Sequence, residues 1–262
     1  MNNIMLNKLL KKPNLIIVPV GSPVDKFVKQ VGHNMPIEMH WRQTNNDRNY
    51  AILAVQYGDF EPEPGTYDAL LKIKGFKWTI AKELQKHLDF TDWEYVGFYD
   101  DDVILDYIAM NRSFELATEK QFPAFQISLA RGSESQYPCT RNNPSFKYTI
   151  TNFIEIMCPV FHKSVINKFM KLVHSYNVYT GWGLDYVLAE YLDIKPAIIH
   201  EVTMLHPPRP DTGSGYDKSN AFQEMYNLFD VHFPEMMKRE GRDVSMNYKN
   251  FQPTELQMVM SV

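Results

Sequence analysis

Tyr95-Val96-Gly97-Phe98-Tyr99-Asp100-Asp101-Asp102 is the stretch on which the fold turns. An apolar and aromatic run changes within one residue to three carboxylates. A short apolar run closed by an abrupt polar turn reads as a buried strand. Three adjacent carboxylates repel one another, so their place at the mouth of such a strand calls for a counter-charge. A hard divalent cation, Mg²⁺ or Mn²⁺, takes oxygen ligands and bridges to phosphate. A solvated turn, or a helix N-terminus drawing on the dipole, is the plainer reading of the same residues.

Working outward, Leu15 to Val20, ended by Gly21, and Tyr50 to Tyr57 are further buried strands. Trp78, Ile80, Ala81, Leu84 and Leu88 recur at near-helical spacing, which predicts a helix over Lys77–His87. Helices are also expected over Leu105–Thr118, Ser164–Tyr176, Leu184–Leu192 and Ser219–Phe229. Strands are expected near Phe125–Ser128, over Tyr148–Met157 and over Ala197–Met204, the last stopped by His206-Pro207-Pro208-Arg209-Pro210. Strands alternating with helices argue an α/β fold, a mixed and mostly parallel sheet flanked by helices. In such sheets ligands gather at the carboxyl ends of the strands, where the acidic triplet lies. The division is an extension over residues 1–12, a catalytic domain over 13–240 and a tail over 241–262.

Composition bounds the function. The 262 residues are 44% hydrophobic and 13% aromatic, enough for a sizeable core and too apolar for long disorder. A net charge of −4 disfavours non-specific binding to nucleic acid. The two cysteines, Cys139 and Cys158, read as reduced thiols of a cytoplasmic protein, with one bridge between them as the less favoured reading. Neither a secretory signal nor a run of the ~18 apolar residues of a membrane span is expected. Residues 5–12 form a short basic segment, read as a frayed terminus in preference to a membrane-surface turn.

Other residues carry candidate chemistry. In Thr180-Gly181-Trp182-Gly183-Leu184-Asp185 the glycines allow a tight turn and Trp182 offers a flat face to a sugar. Asp185, in the first turn of a helix, is placed to accept a proton from an acceptor hydroxyl. An ordinary helix start with a core tryptophan explains the same residues. His206 is a competent ligand for Mn²⁺. Lys72, Lys74 and Lys77, with Arg42 and Arg48, suit a diphosphate or simply a charged helix face. Glu155, inside the apolar run Phe153–Met157, must be paired or functional. Glycine-rich phosphate loops, serine elbows and His-Glu-x-x-His or Cys-x-x-Cys zinc motifs are absent from the sequence.

Tyr99-Asp100-Asp101-Asp102-Val103 resembles the Asp-x-Asp signature of GT-A glycosyltransferases. The ordered set from Lys74 to His206 is similar to a group of plant and bacterial proteins placed near those transferases. The resemblance implies that Asp102 ligates the metal, with Asp100 assisting through the metal shell or the ribose, and that His206 is the metal ligand near the C-terminal end. It implies that the first strand and its loop, Pro19 to Ser22 with Pro19, Val20 and Gly21 foremost, hold the nucleotide base; Asp101, Lys74 and Lys77 are further candidates for binding the nucleotide-sugar. It implies that the Gly181–Asp185 segment, with Trp182 and Gly183, shapes the acceptor side and that Asp185 is the candidate base; Glu155 is expected either to bond donor or acceptor hydroxyls or to pair with a nearby Lys or Arg. Mn²⁺ or Mg²⁺ is the implied cofactor. The expected partners are a UDP- or GDP-sugar and a carbohydrate acceptor, with a modified DNA base as the less favoured acceptor. Another Mg²⁺-dependent nucleotide enzyme, or a glycan-binding relative without turnover, are the rival classes.

Overall fold

The computed structural model describes residues 10–135, 137–208, 217–245 and 247–260. The basic segment 5–12 lies largely outside them, as do Arg209 and Pro210. The strands are β1 (Asn14–Val20), β2 (Tyr50–Gln56), β3 (Ala69–Lys72), β4 (Tyr95–Phe98), β5 (Ala124–Leu129), β6 (Phe146–Thr151), β7 (Val160–His162), β8 (Ala197–Met204) and β9 (Glu255–Met260). The α-helices are α1 (Val24–Gln30), α2 (Lys77–Gln85), α3 (Tyr107–Lys120), α4 (Lys163–His174), α5 (Leu184–Leu192), α6 (Lys218–Asn227) and α7 (Phe233–Arg239).

All these strands form one sheet in the order β3-β2-β1-β4-β7-β5-β8-β6-β9. β3, β2, β1 and β4 run parallel. β7 runs against both β4 and β5, β8 is parallel to β5, and β6 runs against β8 and β9. This is the mixed, mostly parallel α/β sheet expected from the sequence. From β1 the chain builds outward to β2 and β3 on one side, then returns to place β4 on the other. The strand order reverses between β1 and β4, and the carboxyl ends at such a switch point are where the ligand crevice of open α/β sheets lies.

The pleat of β1 sorts its residues between two cores. Leu15 and Ile17 pack with Trp78, Leu84, Phe169 and Leu188 of α2, α4 and α5 on one face. Ile16, Val18 and Val20 pack with Met110 and Phe114 of α3 on the other. Asp106 caps α3, its carboxylate accepting the Ala109 N–H at 2.7 Å. The helix ends at Gln121 in the left-handed conformation, φ +55°.

Several segments depart from the sequence reading, among them β7 and α7, for which no element was expected. The strand expected over Tyr148–Met157 ends at Thr151. Residues 152–159 instead cross over β8 and β5 to reach β7, burying Phe153 and Ile154 on the way. Glu155 thus lies on a crossover, not inside a strand. A short apolar run fits a buried crossover as well as a strand, so periodicity could not separate them. α1 had no signal beyond Val24 and Val28, its two buried residues. β9 lies in the stretch expected to be a tail, and Tyr248 and Phe251 just before it are buried in the core.

Candidate functional site

The acidic triplet follows β4 directly and faces the loop that follows β1. Each carboxylate has a different neighbour. Asp100 Oδ1 lies 2.5 Å from Lys77 Nζ, at the start of α2. The same ammonium donates to the carbonyls of Ile156 (3.0 Å) and Met157 (2.6 Å) on the crossover. Asp101 Oδ2 accepts the backbone N–H groups of Gly21 (2.8 Å) and Ser22 (2.9 Å). Burial raises its pKa to about 6, opposed by the Gly21 N–H and by Arg42, and reinforced by the charges of Asp102 and Asp100. Asp101 therefore staples the end of β4 to the loop after β1.

Beneath that loop Arg42 is fully buried and its Nη1 reaches the Ser22 carbonyl at 3.4 Å. Its Nε and Nη2 have no hydrogen-bond partner among the described residues. Arg48, grouped with it in the sequence, instead binds both oxygens of Asp68, at 2.9 and 2.8 Å. Val20 is buried in the core, so only its main chain can meet a ligand, and Pro19 is half-buried. A Cβ on Gly21 would lie 2.1 Å from Tyr57 Oη. Lys74 is exposed on the loop between β3 and α2.

Asp102 is buried, and its Oδ2 lies 3.5 Å from His206 Nε2. The other ring nitrogen, Nδ1, lies 3.2 Å from the Glu134 carbonyl. A carbonyl only accepts, so Nδ1 carries the proton and a neutral His206 turns its Nε2 lone pair toward the Asp102 carboxylate. Two acceptors face to face repel unless a proton or a cation lies between them. Burial lowers the His206 pKa, but the Asp102 carboxylate outweighs it and the net direction is upward. The pair thus holds a proton between them, as an imidazolium–carboxylate ion pair, or could hold a hard or borderline cation in its place. Asp100 does not join it as a third: among the described residues no group of three or more His, Cys, Asp or Glu is placed to hold a metal. The Lys77 ammonium engages the carboxylate that would complete the set. Each of the three carboxylates thus has a partner within the fold, so the triplet does not by itself demand a bound cation.

Glu155 and Asp185 complete the patch. The Glu155 N–H donates to Gln126 Oε1 of β5 at 2.7 Å, while its Oε2 is buried with no hydrogen-bond partner among the described residues. Burial raises Glu155 to about 7; His206 and Lys77 oppose the rise and Asp100 adds to it. Asp185 is 6% exposed in the first turn of α5, and its Oδ1 likewise has no hydrogen-bond partner there. Burial raises it to about 8, the Glu155 charge adds, and the N–H groups of Asp185, Tyr186 and Gly183 oppose. The fold thus couples Lys77, Asp100, Glu155, His206 and Asp185, which lie far apart in sequence, into one electrostatic patch. Buried carboxyls raised toward neutrality in such a patch mark a candidate site of proton transfer. Tyr137 and Tyr186, hydroxyls 2.9 Å apart beside Asp185, belong to it too and had no sequence signal.

The glycines before Asp185 serve packing. A Cβ on Gly181 (φ +82°) would lie 2.2 Å from Trp78 Cδ1. One on Gly183 (φ +91°) would lie 2.9 Å from Met225 Cγ and 3.0 Å from Phe229 Cε1. Both turn tightly as expected, but against the body of the protein. Trp182 is half-buried, edge-on to Phe222 at 5.0 Å between ring centroids.

No family model matches the sequence, and no curated protein matches it. Solved structures do. Staphylococcus aureus TarS 1–349 in complex with UDP-GlcNAc aligns with a TM-score of 0.50 at 8% identity, over 86% of this chain and 66% of that one. A second structure of TarS 1–349 aligns at 0.46 and 9%, over 86% and 73%. A197 from STIV aligns at 0.37 and 10%, over 75% and 86%. TarS is a glycosyltransferase. The likeness to its UDP-GlcNAc complex shows that this chain has a GT-A-like fold. The chain spans about two thirds of the length of that structure. None of the described helices is long and apolar enough to cross a membrane.

Proposed function

We propose that this protein is a glycosyltransferase that moves a sugar from a nucleotide-sugar, of the UDP- or GDP-sugar class, to a hydroxyl of a carbohydrate acceptor. The observation that carries the reading is the coupled patch of Lys77, Asp100, Glu155, Asp185 and His206 beside the β1/β4 crevice of a GT-A-like fold. The fold likeness to a TarS structure in complex with UDP-GlcNAc supports the donor class.

In this reading the main chain of Pro19–Gly21, held by Asp101, borders the nucleotide. Lys77 exchanges its bond to Asp100 for one to the donor diphosphate. Asp102 and His206 would hold Mn²⁺ or Mg²⁺, with Asp100 as the further carboxylate available to it in place of the Lys77 pair. Such a cation would supply charge neutralisation of the diphosphate leaving group. Asp185 takes the proton of the acceptor hydroxyl as its oxygen bonds to the anomeric carbon. The bond from that carbon to the diphosphate breaks, and the negative charge leaves with the diphosphate. A single displacement of this kind inverts the anomeric centre. Glu155 orients a sugar hydroxyl through its Oε2.

A thermal-shift screen of UDP- and GDP-sugars, with and without Mn²⁺, tests the reading, because a ligand that binds the native state raises its melting temperature. A nucleotide-sugar that stabilises more strongly with Mn²⁺, followed by glycosyl transfer, is the expected result. Preferential stabilisation by nucleoside triphosphates would favour another Mg²⁺-dependent nucleotide enzyme. Metal-independent glycan binding without turnover would favour a non-catalytic relative.

A further inference from the structure

Helix α6 meets the loop between α4 and α5 through the side chain of Glu224. Its Oε1 accepts the N–H groups of Tyr179 (3.0 Å) and Gly181 (2.9 Å). Its Oε2 accepts the Thr180 N–H (2.7 Å) and the Thr180 hydroxyl (2.8 Å). The same hydroxyl accepts the Trp182 N–H at 3.2 Å, so the chain of bonds runs one residue further. Three successive backbone N–H groups thus converge on one carboxylate, and charge-assisted bonds of this kind are the strong ones.

The neighbours on α6 lock the same loop by shape. Phe222 meets the Trp182 ring, and Met225 packs at Gly183 with Phe229 just beyond the helix. On its other side Gly181 lies against Trp78. Gly183 then starts α5, and its N–H, with those of Asp185 and Tyr186, faces the Asp185 carboxylate. A rigid path therefore leads from Glu224 through Thr180 and the two glycines to Asp185.

We infer that Glu224 is a positioning residue: it holds the Tyr179–Gly183 loop so that Asp185 points into the site, and touches no reacting atom itself. The inference rests on Asp185 being the base of the proposed transfer, and its structural half can be read without that. Lys82 of α2 is the cation that faces Glu224, itself bonded to the Tyr176 carbonyl at 2.7 Å. Gln in place of Glu keeps one acceptor oxygen but presents an NH₂ to two of the donors, so the clamp opens while the side-chain volume stays.

Glu224→Gln, with Thr180→Val and Thr180→Ser beside it, tests this by two readouts. The first is amide hydrogen exchange over residues 179–185. Glu224→Gln and Thr180→Val should speed it at least tenfold while the sheet strands stay protected, and Thr180→Ser should match the parent. The second is steady-state kinetics. A carboxylate misplaced by about 1 Å costs up to roughly 100-fold, so kcat should fall 10- to 100-fold with the donor KM unchanged and Thr180→Ser near the parent. Unchanged exchange in Glu224→Gln overturns the inference whether or not the parent turns over. Faster exchange with full kcat also overturns it, by removing the link to Asp185. If the parent transfers no sugar, the reading of Asp185 as base fails by itself, and the exchange result still decides whether Glu224 holds the loop. If Glu224→Gln does not fold, the two Thr180 variants carry the same decision.

Discussion

Asp185→Asn should lower turnover strongly and at the same time make the protein more stable than the parent as pH rises toward 8. The carboxyl is almost fully buried, and burial with the Glu155 charge raises its pKa from 3.8 to about 8. Ionising it in the fold therefore costs roughly 6 kcal/mol more than in the unfolded chain. A folded-state pKa above the unfolded one means that the native state holds the extra proton between the two values. Stability then falls as pH rises from about 4 to about 8, by up to ~1.4 kcal/mol per pH unit for this group. Asn, a near-isostere of the protonated acid, keeps an acceptor for the N–H groups at the start of α5 and has no such slope. Urea unfolding of both proteins across that range should show equal stability near pH 4 and a growing advantage for Asn toward pH 8. Glu155 titrates in the same window, raised to about 7, so only the difference between the two proteins isolates Asp185. In turnover the base must be ionised, so the parent's kcat should climb through about pH 8. Asp185→Asn should lose about 10²-fold or more with donor affinity kept. Parallel pH–stability curves would refute the buried, raised carboxyl, and surviving turnover would refute its role as base.

Two further outcomes follow from the same geometry. Removing divalent cations with a chelator should stop sugar transfer, and Asp102→Asn should lose the response to added Mn²⁺; full activity in chelator would leave Lys77 as the cation that meets the diphosphate. Gly181→Ala should destabilise the fold by roughly 2–4 kcal/mol, because it forces a Cβ at φ +82° to within 2.2 Å of the Trp78 indole. A denaturation midpoint equal to the parent's would show that the loop does not pack there.

Local chemistry carried much of the fold. Hydrophobic runs closed by polar turns marked β1, β2, β4 and β8, and helical spacing marked α2 to α5, since those signals depend only on neighbours along the chain. The jump from Phe98-Tyr99 to Asp100 located the mouth of the crevice, because the carboxyl end of a buried strand is where such a change can stand. Other features were closed to sequence reading. Phe153–Met157 has the composition of a strand, and only the position of β7 between β4 and β5 makes it a crossover that brings Glu155 to the site. Pairings are equally illegible: Asp100 with Lys77, Asp101 with the N–H groups of Gly21 and Ser22, and Asp102 with His206 join residues distant in the chain. The sequence thus determined which carboxylates, lysines and histidine were available and at which strand ends they fall. Tertiary structure decided which of them are neutralised, buried or left without a partner, because charge pairing and desolvation depend on distance in space, which sequence separation does not encode.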